Sequence, residues 1–107
     1  MTKEEIQDEM YVCAKVQFKY YYPNETILDN SISVGNIYES ANGYHCQIRF
    51  LKNGVIIKCT YNKKTACYTS DFYELKHTNE LCWATNRKTG ELAFVMTEDL
   101  ANEHRKD

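Results

Sequence analysis

The dipeptide Asn53-Gly54 lies between two runs of alternating apolar and polar residues, and this arrangement restricts the chain more than any other feature. On one side Tyr44, Cys46, Ile48 and Phe50 alternate with His45, Gln47 and Arg49; on the other, Ile57, Cys59 and Tyr61 alternate with Ile56, Lys58 and Thr60. A period of two puts each set on one face of a pleated strand, and Asn-Gly readily adopts the positive φ angles of a tight return. The spacing predicts an antiparallel hairpin with one apolar and one polar face. A two-residue turn at Asn53-Gly54 sets Phe50 opposite Ile57, Ile48 opposite Cys59 and Arg49 opposite Lys58. A four-residue loop over Leu51 to Gly54 keeps the same faces but sets Cys46 opposite Cys59. Either register keeps the apolar residues together, which a one-residue slip would not.

Upstream, Thr2 and Glu5 have the spacing of a capping box, followed by Ile6 and Met10 on one face, which predicts a short helix over residues 2 to 9. From Tyr11 the pattern shifts: Val12, Ala14, Val16, Phe18 and Tyr20 alternate with Tyr11, Cys13, Lys15, Gln17, Lys19 and Tyr21. This alternation predicts a half-buried strand over 11 to 21, stopped by Pro23-Asn24 and exposed to pairing if it ends a sheet. Ile32 to Glu39 reads as another strand, with a positive-φ turn at Asn42-Gly43.

Downstream of the hairpin, Asn62 to Thr65 reads as a polar turn, Ala66 to Thr69 as a short strand and Ser70 to Leu75 as one capped helical turn. Leu81 to Asn86 and Glu91 to Met96 form a last hairpin around Arg87-Lys88-Thr89-Gly90, whose glycine suits a left-handed position. Thr97-Glu98-Asp99 opens a short C-terminal helix.

Short strands at spacings near ten residues define a mainly β chain, a single small antiparallel barrel or strongly curled sheet with short N- and C-terminal helices. From Val34-Gly35 to Phe72-Tyr73-Glu74-Leu75 the succession of hairpins and a closing helical turn resembles an SH3-like small barrel in rhythm, without a family motif. A length of 107 residues, 43% hydrophobic, suits one domain with one core over residues 1–107. No run approaches a membrane span, and the acidic N-terminus lacks the plan of an export signal, so a soluble, intracellular, cytoplasmic protein is expected.

Five cysteines, Cys13, Cys46, Cys59, Cys67 and Cys82, form no C-x-x-C pair and are odd in number, so reduced thiols are expected rather than a disulfide framework or a zinc ribbon. A metal held by His45, Cys46, Cys59, Cys67 and His77 is the weaker alternative, and no cofactor is implied. The sequence contains no G-x-S-x-G, H-E-x-x-H, Walker-type loop or G-x-G-x-x-G, and His45 and Cys46, adjacent on a strand, point to opposite faces. An enzyme is therefore not expected.

Net charge is −2, too small for the whole molecule to draw on counterion release at nucleic acid. The distribution is uneven. Residues 1–10 carry Lys3 against Glu4, Glu5, Asp8 and Glu9, whereas residues 44–77 carry six cations against Asp71 and Glu74. The acidic first helix could fold back on that basic segment or meet a basic partner. Nine tyrosines, four phenylalanines and one tryptophan supply rings for either a core or an interface. Phe18, Tyr44, Phe50, Tyr61, Trp83 and Phe94 are the expected core, and alternation through Tyr20-Tyr21-Tyr22 forces at least one ring outward.

Two candidate surfaces follow. The polar hairpin face, His45, Gln47, Arg49, Lys58 and Thr60, would suit an acidic group, Arg49 gripping it bidentately and Lys58 adding charge, against the plainer alternative of a solvated strand face. An exposed Tyr21 beside Lys19 would suit a protein interface. These features favour a small non-enzymatic domain that binds a protein partner, as a regulator or inhibitor; the alternative is a nucleic-acid-binding small barrel in which tyrosines stack on bases beside the basic face.

Overall fold

The computed structural model describes residues 2–77, 82–90 and 92–95, the last three of these and residues 77 and 82 without side-chain detail. Its elements are α1 (Lys3–Tyr21), β1 (Ile32–Val34), β2 (Tyr38–Glu39), β3 (Gly43–Phe50), β4 (Val55–Asn62), β5 (Cys67–His77), β6 (Cys82–Asn86) and β7 (Leu92–Val95). The strands form one antiparallel sheet in the order β1-β3-β4-β5-β6-β7, with β2 also paired to β3. The chain is mainly β, as expected. The sheet ends at β1 and β7, which do not pair, so it is open where a barrel would be closed.

The N-terminal third differs most from its sequence pattern. One 19-residue helix replaces the expected short helix and the expected strand over 11 to 21. Its start is the capping box: Thr2 Oγ1 accepts the Glu5 N–H at 3.2 Å, and the Glu5 carboxylate accepts the Thr2 N–H at 3.1 Å. The apparent alternation from Val12 to Tyr20 is two interleaved series with a spacing of four. Ala14 and Phe18 extend Ile6 and Met10 as the buried stripe, while Val12, Val16 and Tyr20 follow a different stripe in solvent. Spacing by four satisfies a period of two as well, and packing of the first series on the sheet decides for the helix. The helix thus does fold back on the molecule, through apolar contact rather than through its acidic residues.

The core lies between α1 and the inner face of β3, β4 and β5, where Ile6, Met10, Ala14 and Phe18 meet Cys46, Ile48, Phe50, Val55, Ile57, Cys59 and Phe72. Phe18 stacks on Phe50 with ring centroids 4.4 Å apart. Burial of one such side chain contributes about 1.5–3 kcal/mol. Of the other expected core rings, Tyr44 and Tyr61 are half-buried against this cluster and Trp83 is half-buried; the Phe94 side chain lies outside the described residues.

The central hairpin adopts the longer loop. Leu51–Asn53 form a 3₁₀ turn and Gly54 takes the left-handed conformation, which sets Cys46 opposite Cys59, Gln47 opposite Lys58 and Arg49 opposite Ile56. The two-residue turn and its Arg49–Lys58 pairing are therefore replaced. Gly43 shows no positive φ; a Cβ there would collide with the Tyr61 carbonyl oxygen, so the glycine permits the close approach of β3 to β4.

Two further expectations change. The strand over Ile32 to Glu39 is broken at Gly35–Ile37 into β1 and β2. Ser70 to Leu75 is no helical turn but the middle of β5: Tyr68, Ser70 and Phe72 face inward while Thr69, Asp71 and Tyr73 face outward, and the β4 ladder supplies the hydrogen-bond partners that a lone helical turn would lack. The last hairpin forms as expected, with Gly90 left-handed, whereas the C-terminal helix from Thr97 lies outside the described residues.

Candidate functional site

The outer face of β3 and β4 carries His45, Gln47, Arg49, Lys58 and Thr60 together, as the alternation requires. Its contacts are largely internal. The His45 ring lies 5.0 Å from Tyr38 and bonds Ser40 Oγ at 2.8 Å and Thr60 Oγ1 at 3.3 Å. Lys58 stands between Gln47 and Asp71 in the cross-strand row and places its ammonium 4.9 Å from the Tyr73 ring centre. Arg49 lies in the row Ser33, Arg49, Ile56, Tyr73, and Ile56 in that row is buried although it belongs to the polar series. The two cations are diagonal rather than opposed, and each has a non-cationic neighbour across the strand.

Lys19 and Tyr21 lie at the C-terminal end of α1. The Lys19 ammonium donates to the Glu25 carbonyl. Tyr21 is half-buried on Phe72, with ring centroids 4.7 Å apart, and it is Tyr20 that stands in solvent, 78% exposed. The Arg87 guanidinium covers the Tyr21 ring at 5.1 Å and the Tyr22 ring at 5.9 Å, and it pairs with Glu74. Burial pushes the Glu74 carboxyl upward, but Arg87 and the Tyr22 hydroxyl outweigh it and hold the group below its usual value. This cluster locks the last turn of α1 to β5 and to the loop after β6.

Beside that cluster is a feature the sequence did not disclose. A groove of about 610 Å³ runs between α1 and the first half of β5, lined by Val12, Cys13, Val16, Gln17, Tyr20 and Tyr21 on one side and by Tyr68, Thr69, Ser70 and Lys88 on the other. Its helix wall includes three large side chains mostly in solvent, Val12 at 55%, Val16 at 66% and Tyr20 at 78% exposure. Its floor is pinned where Ser70 Oγ donates to the Gln17 side-chain oxygen. The Tyr68 hydroxyl is shielded there without a hydrogen-bond partner among the described residues, and burial, reinforced by Glu9, raises its pKa.

Among the described residues, the sheet wall of the groove is an open strand edge. β6 pairs β5 only from Tyr73 to His77, and the Arg87 N–H closes the ladder on the Phe72 carbonyl. Residues 67–71 therefore extend beyond β6. Backbone groups alternate in direction along a strand, so the Tyr68 and Ser70 amides and carbonyls share the direction of the Phe72 carbonyl, away from β4. The spacing of four from Val12 to Tyr20 is the sequence signal for the helix wall, and it fits a period of two equally well.

Of the expected metal set His45, Cys46, Cys59, Cys67 and His77, the His77 side chain lies outside the described residues. Cys13, Cys46, Cys59 and Cys67 are free thiols, and no group of three His, Cys, Asp or Glu converges among the described residues. Burial pushes the Cys59 thiol up to about 12, with Cys46 and Cys13 adding to the effect, which opposes the thiolate needed for nucleophilic or ligand chemistry. No helix among the described residues is long and apolar enough to cross a membrane.

Comparison with known proteins yields no matching family model, no matching curated protein and no matching solved structure.

Proposed function

We propose that the protein is a non-enzymatic protein-interaction domain whose docking site is the groove between α1 and the free edge of β5. The observation that carries this reading is the coincidence of two unsatisfied surfaces at one place. Val12, Val16 and Tyr20 expose apolar area, and the adjacent Tyr68 to Ser70 edge leaves backbone donors and acceptors without protein partners among the described residues. An incoming polypeptide satisfies both at once, by main-chain hydrogen bonds to the edge and by side chains against the helix; a small ligand or a nucleic acid uses only part of this surface. Tyr21 lines the groove wall but is half-buried on Phe72, so Tyr20 supplies the exposed ring. A role as regulator or inhibitor is consistent with a domain that binds without a catalytic constellation.

The nucleic-acid reading rests on the outer face and is the weaker one, because Lys58 is flanked across the strand by Asp71 and Arg49 by Ile56. The test is retention of a protein partner after nuclease treatment by the wild-type chain and by Val16→Asp. Loss of the partner in the variant, with the circular dichroism spectrum unchanged, supports the groove. Equal retention by both chains overturns it.

A further inference from the structure

We infer that the occupant of the groove is a second copy of this chain, joined edge to edge through residues 67–71 of β5 about a two-fold axis at Thr69. This rests on the reading of the groove as a protein-docking site and names its partner.

Three features of the groove are self-complementary. The first is the strand edge. The outward-directed backbone groups belong to Tyr68 and Ser70, placed symmetrically about Thr69, so a two-fold axis there sets Tyr68 opposite Ser70 of the partner subunit and Ser70 opposite Tyr68 of the partner subunit. Both are hydrogen-bonded pairs that exchange two bonds each. The length of β5 left uncovered by β6, residues 67–71, equals the length the second copy would place against it. That edge carries no proline and no lysine, the usual guards against such pairing.

The second feature is the helix. Val12, Val16 and Tyr20 are spaced by four and centred on Val16, and the same groove holds both Val16 and Thr69. The axis that pairs the strands therefore brings the two helices side by side and antiparallel. Each apolar stripe then covers its own copy, so a single patch supplies both halves of the interface, as an isologous contact requires.

The third is charge. Glu9 stands one helical turn before Cys13, at one end of the groove, and Lys88 follows Arg87, whose guanidinium covers Tyr21 at the other end. A two-fold axis between them reverses the second copy, so that acidic end meets basic end twice. The helix repeats this polarity, with Lys3 against Glu4, Glu5, Asp8 and Glu9 in its first half and Lys15 and Lys19 in its second.

The test combines solution mass with a site-directed cross-link on the full chain. The wild type is expected at twice the 12.6 kDa of one chain, and Val12→Asp/Val16→Asp, which changes only exposed positions, at the single mass. In Thr69→Cys the two introduced thiols fall in a non-hydrogen-bonded pair with Cα atoms about 4.5 Å apart, within disulfide reach, so mild oxidation gives a dimer linked through residue 69. Peptide mapping distinguishes that link from one through the native Cys67. A wild type that stays at the single mass to its solubility limit, with no 69-to-69 link, overturns the second copy. If Val16→Asp then still releases a different protein partner, the groove reading survives alone; if it releases nothing, both fall. A dimer that persists in Val12→Asp/Val16→Asp and lacks the 69-to-69 link uses another surface and also overturns the inference.

Discussion

Cys46 stands directly opposite Cys59 across the β3–β4 ladder, and both side chains are buried beneath α1, where Cys59 Sγ lies 3.8 Å from the Met10 carbonyl oxygen and Cys46 Sγ 3.3 Å from that of Gly35. The pair marks the register of the hairpin and lies within the contact between helix and sheet. Because neither thiol faces water, each packs as a small apolar group.

The first prediction concerns pH. An unfolded thiol ionises near about 8.5, whereas burial holds folded Cys59 protonated up to about 12. Between these values the unfolded chain binds fewer protons than the folded one, so stability falls as pH rises, by up to about 1.4 kcal/mol per pH unit from this group. Below about pH 8 its contribution is complete. Urea denaturation of the wild type and Cys59→Val through this range is expected to show the steeper decline in the wild type. Parallel curves would mean that the thiol is not shielded as described.

A second prediction separates alternation from burial on β4. Val55, Ile56 and Ile57 are all buried, so the middle strand is covered on both faces at this level even though Lys58 and Thr60 of the same outer series are only half-buried. Ile56→Ala is expected to cost about 2–5 kcal/mol, the range for a core aliphatic residue, and to match Ile57→Ala. A surface-like loss below about 0.5 kcal/mol, measured from the denaturation midpoint at constant slope, would place Ile56 in solvent.

The third sets the two stripes of α1 against each other. Phe18, buried on Phe50 and near Tyr22, is expected to lose about 3–5 kcal/mol on replacement by Ala. Val16→Asp is expected to change the stability of an isolated chain by less than about 1 kcal/mol, since its side chain is already mostly hydrated. Thermal unfolding of the two variants at low protein concentration checks the contrast. Had residues 11 to 21 formed the alternating strand, the two substitutions, both on its apolar face, would be comparably damaging.

Much of the architecture was legible because its signals are local. The capping box at Thr2 and Glu5, the two faces of the β3–β4 hairpin and the left-handed glycines at 54 and 90 each depend on residues a few positions apart. Where a pattern fits two periods, as from Val12 to Tyr20, local information does not choose. Likewise Ser70-Asp71-Phe72 has the composition of a helix cap, and only the partner strand β4 makes it extended.

The amino-acid sequence by itself determined a mainly β chain, the central hairpin with its faces, a helix start at the N-terminus and the lack of any familiar catalytic motif. The tertiary structure alone decided that Lys3–Tyr21 is one continuous helix, which of its two stripes is buried, and that β5 outruns β6. The groove depends on all three, because its walls come from residues 12–21, 68–70 and 88, brought together by the packing of α1 on the sheet. Periodicity reports how a segment folds on itself; which face meets which neighbour follows from burying apolar area over the whole molecule.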